Sequence, residues 1–120
     1  MKTILLIEDN IDILENLSEY LELQGYKTLS ADNGQKGIQL AHEFIPDLII
    51  CDVLMYDLNG HEVLHLLKNA LTTRHIPFIF STSLSESIDR EETLKLGADD
   101  YIVKPYHLET LLAMVVSHLS

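Results

Sequence analysis

Tryptophan is absent, cysteine occurs once, and no run of lysine or arginine appears in these 120 residues. A single Cys51 cannot staple the chain with an internal disulfide. It lies inside an apolar stretch and reads as a small buried hydrophobe, which suits a reducing, cytoplasmic setting. No apolar run approaches the roughly 18 residues of a membrane span. The opening MKTILLIED meets acid after four apolar residues, too soon for a secretory signal. Eight Lys and Arg against nineteen Asp and Glu leave a net charge of −11. That balance argues against direct nucleic-acid binding by this domain and against an anionic membrane surface, since both need clustered cations. Five glycines are too scattered to form a phosphate-cradling loop, so nucleotide binding has no support.

What the chain has is short apolar strands that end in polar groups. Leu48–Cys51 reads as a strand buried on both faces, because solvent-facing strands alternate polar and apolar residues. It stops at Asp52, which is expected half out of the core. Ile4–Ile7 ends at Glu8-Asp9, Phe78–Phe80 at Ser81-Thr82, and Tyr101–Val103 at Lys104-Pro105. Lys27–Ser30 is a fifth strand, polar enough to sit at a sheet edge.

Helical spacing joins the strands. Ile11, Leu14, Leu17 and Leu21 give a stripe that Gly25 ends; Asn33 caps a helix through Phe44; Asn59-Gly60 opens another through Asn69. Ser85 is expected to cap a thinly anchored helix to Leu96, and the last helix carries Leu108, Leu111, Leu112, Val115 and Leu119. Strands alternating with helices imply one domain, residues 1–120. The expected fold is a doubly wound, flavodoxin-like parallel sheet of strand order 2-1-3-4-5 with helices on both faces. Such sheets bind ligands at the C-terminal edge of the strands.

That edge would gather three carboxylates (Glu8, Asp9, Asp52), the Thr82 hydroxyl and the Lys104 ammonium. Crowded carboxylates need raised pKa values or a cation. Oxygen donors without His or Cys suit Mg²⁺ or Mn²⁺. A carboxylate there can attack an activated phosphoryl group, and a hydroxyl and a lysine can hold the remaining phosphoryl oxygens.

Five motifs spread along the chain, LLIEDN (Leu5–Asn10), IICD (Ile49–Asp52), MYDLNG (Met55–Gly60), IPFIFSTS (Ile76–Ser83) and LGADDYIVKPY (Leu96–Tyr106), resemble the receiver domain of two-component response regulators. The resemblance implies that Asp52 is the phosphoacceptor. It implies that Glu8, Asp9, Asp52 and the Leu54 carbonyl hold Mg²⁺, that Thr82 and Lys104 contact the phosphoryl group, and that Tyr101 is the switch aromatic. A cis Lys104-Pro105 bond is implied too. So are a phosphodonor partner (a sensor histidine kinase or phosphotransfer protein), a downstream effector or attached output domain, and phosphorylation-dependent homodimerisation. The responding surface would be made by the Ser85–Leu96 helix, the Tyr101–Val103 strand and the last helix. Such a domain catalyses its own phosphorylation and is no turnover enzyme.

Departures from the family pattern are Tyr56 after the loop methionine, where proline is usual, and Ser83 in place of a smaller residue. Leu54 and Leu84 stand where polar groups are common, and their apolar cover is expected to slow loss of the phosphoryl group. Met114 replaces an arginine used in dimer contacts by DNA-binding regulators, which lowers that output. Met1 resembles a natural start, and the end at Ser120 resembles a cut from a longer regulator or hybrid kinase. Asp57 is a second loop carboxylate, but it lies five residues past the strand end, too far on to rival Asp52 as acceptor; His61 and His65 read as exposed histidines, and His42, His75, His107 and His118 suggest nothing. Asp99-Asp100 read as shaping a turn. Competing readings are an unphosphorylated interaction module, which typically loses these acids or the lysine, and a small-molecule phosphatase, which wants an acid at position 54.

Overall fold

A computed structural model of the chain describes residues 1–55, 57–83 and 94–119. Its elements, in order, are β1 (Thr3–Ile7), α1 (Ile11–Leu23), β2 (Lys27–Ala31), α2 (Gly34–Phe44), β3 (Leu48–Asp52), α3 (Gly60–Lys68), β4 (Phe78–Ser83), β5 (Asp100–Lys104) and α4 (Leu108–Leu119). The Ser85 cap, most of its expected helix, and the readings of Tyr56 and Leu84 lie outside the described residues.

The strands pair in the order β2-β1-β3-β4-β5, all parallel. This is the flavodoxin-like arrangement expected. The polar β2 takes an edge, and the all-buried β3 takes the centre. Strand alternation divides the core in two. Leu5, Ile7, Ile49, Cys51, Phe78 and Phe80 face α2 and α3. Ile4, Leu6, Ile50, Ile79 and Ile102 face α1 and α4 through Leu14, Leu17, Leu21, Leu111 and Val115. Each such side chain, fully buried, contributes about 1.5–3 kcal/mol.

Three asparagines start helices. Asn10, Asn33 and Asn59 accept the backbone N–H of Ile13, Lys36 and Glu62 at 3.2, 2.9 and 2.9 Å. Each cap satisfies a donor that the first turn cannot, worth about 1 kcal/mol. Asn10 and Asn59 bracket the site: one follows Glu8-Asp9, the other precedes Gly60. A Cβ on Gly60 would lie 2.5 Å from the Asp52 carbonyl oxygen, so α3 starts against β3 only without a side chain there.

Two expectations change. Ile11 is 47% exposed rather than part of the buried α1 stripe. It is the first residue after the cap, where the chain has already risen past the sheet edge. Asp52 is 6% exposed, not half out of the core, because central β3 ends recessed between β1 and β4. Among the described residues, no helix is long and apolar enough to cross a membrane.

Candidate functional site

Parallel strands put every C-terminal end on one edge, and the register sets how far each reaches. Ile7 pairs with Cys51, so Glu8 emerges level with Asp52. Asp52 pairs with Ser81, so Thr82 lies one residue beyond it; Ser83 pairs with Lys104 on β5. The sequence-predicted groups therefore meet. One carboxylate oxygen from each of Glu8, Asp9 and Asp52 lies within 4.8 Å of the others. Lys104 Nζ donates to Glu8 Oε1 at 2.6 Å and lies 3.4 Å from Asp52 Oδ2. Glu8 Oε2 also accepts the Asn10 N–H at 3.3 Å. Glu8, Asp52 and Thr82 are buried, while Asp9 is exposed.

Burial and proximity split the acids. Burial, then the adjacent Glu8, push the Asp52 carboxyl up to about 7. Burial also lifts Glu8, but hydrogen bonds from Lys104 and Asp52 outweigh it and hold Glu8 below its ordinary value. Asp9 is raised by burial and by Glu8. Lys104 loses some basicity to burial, yet Glu8 and Asp52 more than restore it, so it stays charged. One ammonium against three carboxylates leaves unbalanced negative charge in a half-buried pocket. An all-oxygen donor set with that excess fits a hard divalent cation.

The remaining predicted residues surround this pocket. Among the described residues, Thr82 Oγ1 makes only a long 3.5 Å contact to the Ser83 carbonyl. Tyr101 is half-buried on β5 and packs against the α2/α3 side of the core. Leu54 extends into solvent, 59% exposed. The Lys104-Pro105 bond is cis. Cys51 is fully buried, and burial pushes its thiol well above its ordinary value, so it is inert.

Several roles were not legible beforehand. Asp57 has a structural part: its oxygens accept the Gly34 and Gln35 N–H groups at 2.9 Å each, tying the β3–α3 loop to the start of α2. Burial raises its carboxyl, but the backbone N–H bonds together outweigh that and hold it below the usual range. Asp99 Oδ2 accepts the Phe78 N–H at 2.8 Å, shaping the entry to β5 as expected. His118 Nε2 sits 3.2 Å from Asp100 Oδ2, joining the end of α4 to the start of β5. His61 is half-buried rather than exposed, edge-on to Phe80 with ring centroids 5.2 Å apart. Its first-turn position on α3 turns it toward the sheet. His65, one turn on, is exposed.

Beside Lys104 a groove of about 550 Å³ opens between α1 and the start of α4. Ile13, Leu17, Pro105, Tyr106 and Leu108 make it largely apolar.

Known proteins share the sequence pattern and the fold. The sequence pattern described as the response regulator receiver domain matches residues 4–116. The transcriptional regulatory protein YrkP of Bacillus subtilis is 37% identical over 117 residues, 97% of this chain and 48% of its own length. PilH of Pseudomonas aeruginosa is 34% identical over 115 residues, 96% of this chain and 95% of PilH. The signal receiver domain of a histidine kinase from Syntrophus aciditrophicus superimposes with a TM-score of 0.89 at 36% identity, covering 99% of this chain and 90% of that one. The chain spans about half the length of several curated relatives it matches. A match along nearly the whole chain, to proteins sharing a third of its residues, establishes that it belongs to the response regulator receiver domain family of two-component signalling.

Proposed function

We propose that this receiver domain is switched by phosphorylation of Asp52. The observation that carries the reading is the half-buried Lys104 ammonium, 2.6 Å from Glu8 and 3.4 Å from Asp52, at the head of an acidic group that includes Asp9. Glu8, Asp9, Asp52 and the Leu54 carbonyl would hold Mg²⁺, with Mn²⁺ a substitute. The ion, when bound, neutralises charge on the pocket acids and the incoming phosphoryl oxygens.

The reacting atom is an Asp52 carboxylate oxygen. It attacks phosphorus of a phosphohistidine on a sensor kinase or phosphotransfer protein; the P–N bond breaks, its electron pair stays on the imidazole, and an acyl phosphate forms. Asp52 must be ionised to attack, and the cation and Lys104 both favour that form. Lys104 holds a phosphoryl oxygen against the developing charge. Thr82, poorly bonded in this state, turns toward the phosphoryl group, and Tyr101 follows it inward on the α2/α3 side. The surface made by the segment preceding β5, β5 itself and α4 then changes for an effector, an attached output domain or a second copy. The domain supplies its own catalytic groups in the cytoplasm and turns over no outside substrate.

Acetyl phosphate with Mg²⁺ should add one phosphoryl group to the intact protein, read by mass. Removing Mg²⁺ with a chelator, or substituting Asp9→Asn, should suppress the gain. Equal uptake with and without the cation would contradict the reading.

A further inference from the structure

Thr82 and Tyr101 lie on one side of the sheet. A second pair of hydroxyl groups lies on the other. Side chains alternate along a strand, and Ile50, Ile79 and Ile102 all belong to the core facing α1 and α4. Two residues on from Ile50 and Ile79, Asp52 and Ser81 therefore project to that same side. They are register partners on adjacent strands, which run about 4.8 Å apart.

Ser81 is 4% exposed, and its Oγ has no hydrogen-bond partner among the described residues. A buried hydroxyl left unpaired is a cost that native folds usually avoid, and one found at a site calls for a functional explanation. Its neighbour on this side is Tyr106. Burial pushes the Tyr106 phenol above its ordinary value, while the Lys104 charge and the Ser81 hydroxyl oppose the rise. Tyr106 packs on the same core as Ile50, Ile79 and Ile102, and its ring joins Lys104 as a wall of the groove between α1 and α4.

We propose that Ser81 and Tyr106 are positioning residues that carry the state of Asp52 to the α1/α4 side of the sheet, opposite Thr82 and Tyr101. The inference rests on Asp52 being the phosphoacceptor. A phosphoryl group brings up to two negative charges and several acceptor oxygens beside an unspent donor. The Ser81 O–H, unpaired until then, turns toward that charge. Tyr106, packed on the same core, shifts with it, so the groove walled by Ile13, Leu17 and Leu108 changes shape. Phosphorylation is then read on both faces of the domain.

The five tyrosines allow a direct test. The full chain is labelled with 3-fluorotyrosine, its resonances are assigned by Tyr→Phe substitution, and beryllium fluoride with Mg²⁺ is added as the phosphoryl mimic. The Tyr101 and Tyr106 signals should both move in the parent. In Ser81→Ala the Tyr106 shift should vanish while the Tyr101 shift persists, which also shows that the variant is folded and loaded. Ser81→Thr, which keeps the hydroxyl, should restore the Tyr106 response. A Tyr106 signal that stays still while Tyr101 moves would overturn the inference and leave the Asp52 reading intact. A Tyr106 shift of equal size in Ser81→Ala would also overturn it. If neither signal responds to the mimic, the phosphoacceptor reading itself fails and the inference falls with it.

Discussion

Asp52 and Asp57 are the same residue type five positions apart, and the fold gives them opposite chemistry. Asp52 ends the central strand, is 6% exposed, and shares its space with Glu8, which with burial raises it to about 7. Asp57 lies in the exposed loop beyond, where two backbone N–H groups hold it ionised. One carboxylate is buried and crowded by like charge, so its ionisation is opposed near neutral pH. The other is already satisfied. The ease of ionisation of each follows from strand position and register, not from residue type.

The largest expected contrast is in phosphoryl uptake. Asp52→Asn should reduce uptake from acetyl phosphate to background, and Asp57→Asn should leave it near the parent rate, measured by intact mass over time. Comparable loss in both would erase the distinction. Lys104→Met should come next, slowing uptake by about 100-fold, the scale of removing one preorganised charge-stabilising donor.

Stability separates the two acids in the opposite sense. A carboxyl raised in the folded state binds its proton more tightly there than in the unfolded chain, so the cation-free protein loses stability as pH rises from about 4 through about 7. Glu8, held low, works the other way, and its contribution is lost only as pH falls through its own depressed range. Urea titrations without Mg²⁺ should therefore show Asp52→Asn more stable than the parent at pH 8, by on the order of 2 kcal/mol. The difference should shrink toward pH 4. Asp57→Ala should instead destabilise by about 1 kcal/mol at neutral pH, the value of a lost helix-start acceptor.

The smallest effect concerns access. Leu54→Asn should speed loss of the phosphoryl group a few-fold, because an exposed apolar side chain beside Asp52 gives way to one that can hold water. Equal lifetimes would show that Leu54 offers no cover.

Much of this was legible in the sequence because buried strands announce their ends. LLI-Glu8-Asp9, IIC-Asp52, IF-Ser81-Thr82 and IV-Lys104 each switch from apolar to polar in one step, and parallel topology does the rest. Contacts made across the chain were not legible. Asp57 reads as a loop acid until α2 is packed beside it, and His118 reads as scattered until α4 returns to β5. Ser81 was visible only as the residue before Thr82. Its meaning depends on which sheet face it occupies, and that is fixed by its register with Asp52. Ile11 and His61 fit helical patterns that say nothing of where the sheet ends beneath a helix.

The most direct measurement locates the acyl phosphate itself. Protein treated with acetyl phosphate and Mg²⁺ is reduced with borohydride, which converts a phosphorylated aspartate to homoserine, and its peptides are sequenced by mass spectrometry. The account predicts conversion at Asp52 and none at Asp57, Glu8 or Asp9. Conversion at another acid, or at none while the protein retains phosphate, would contradict it.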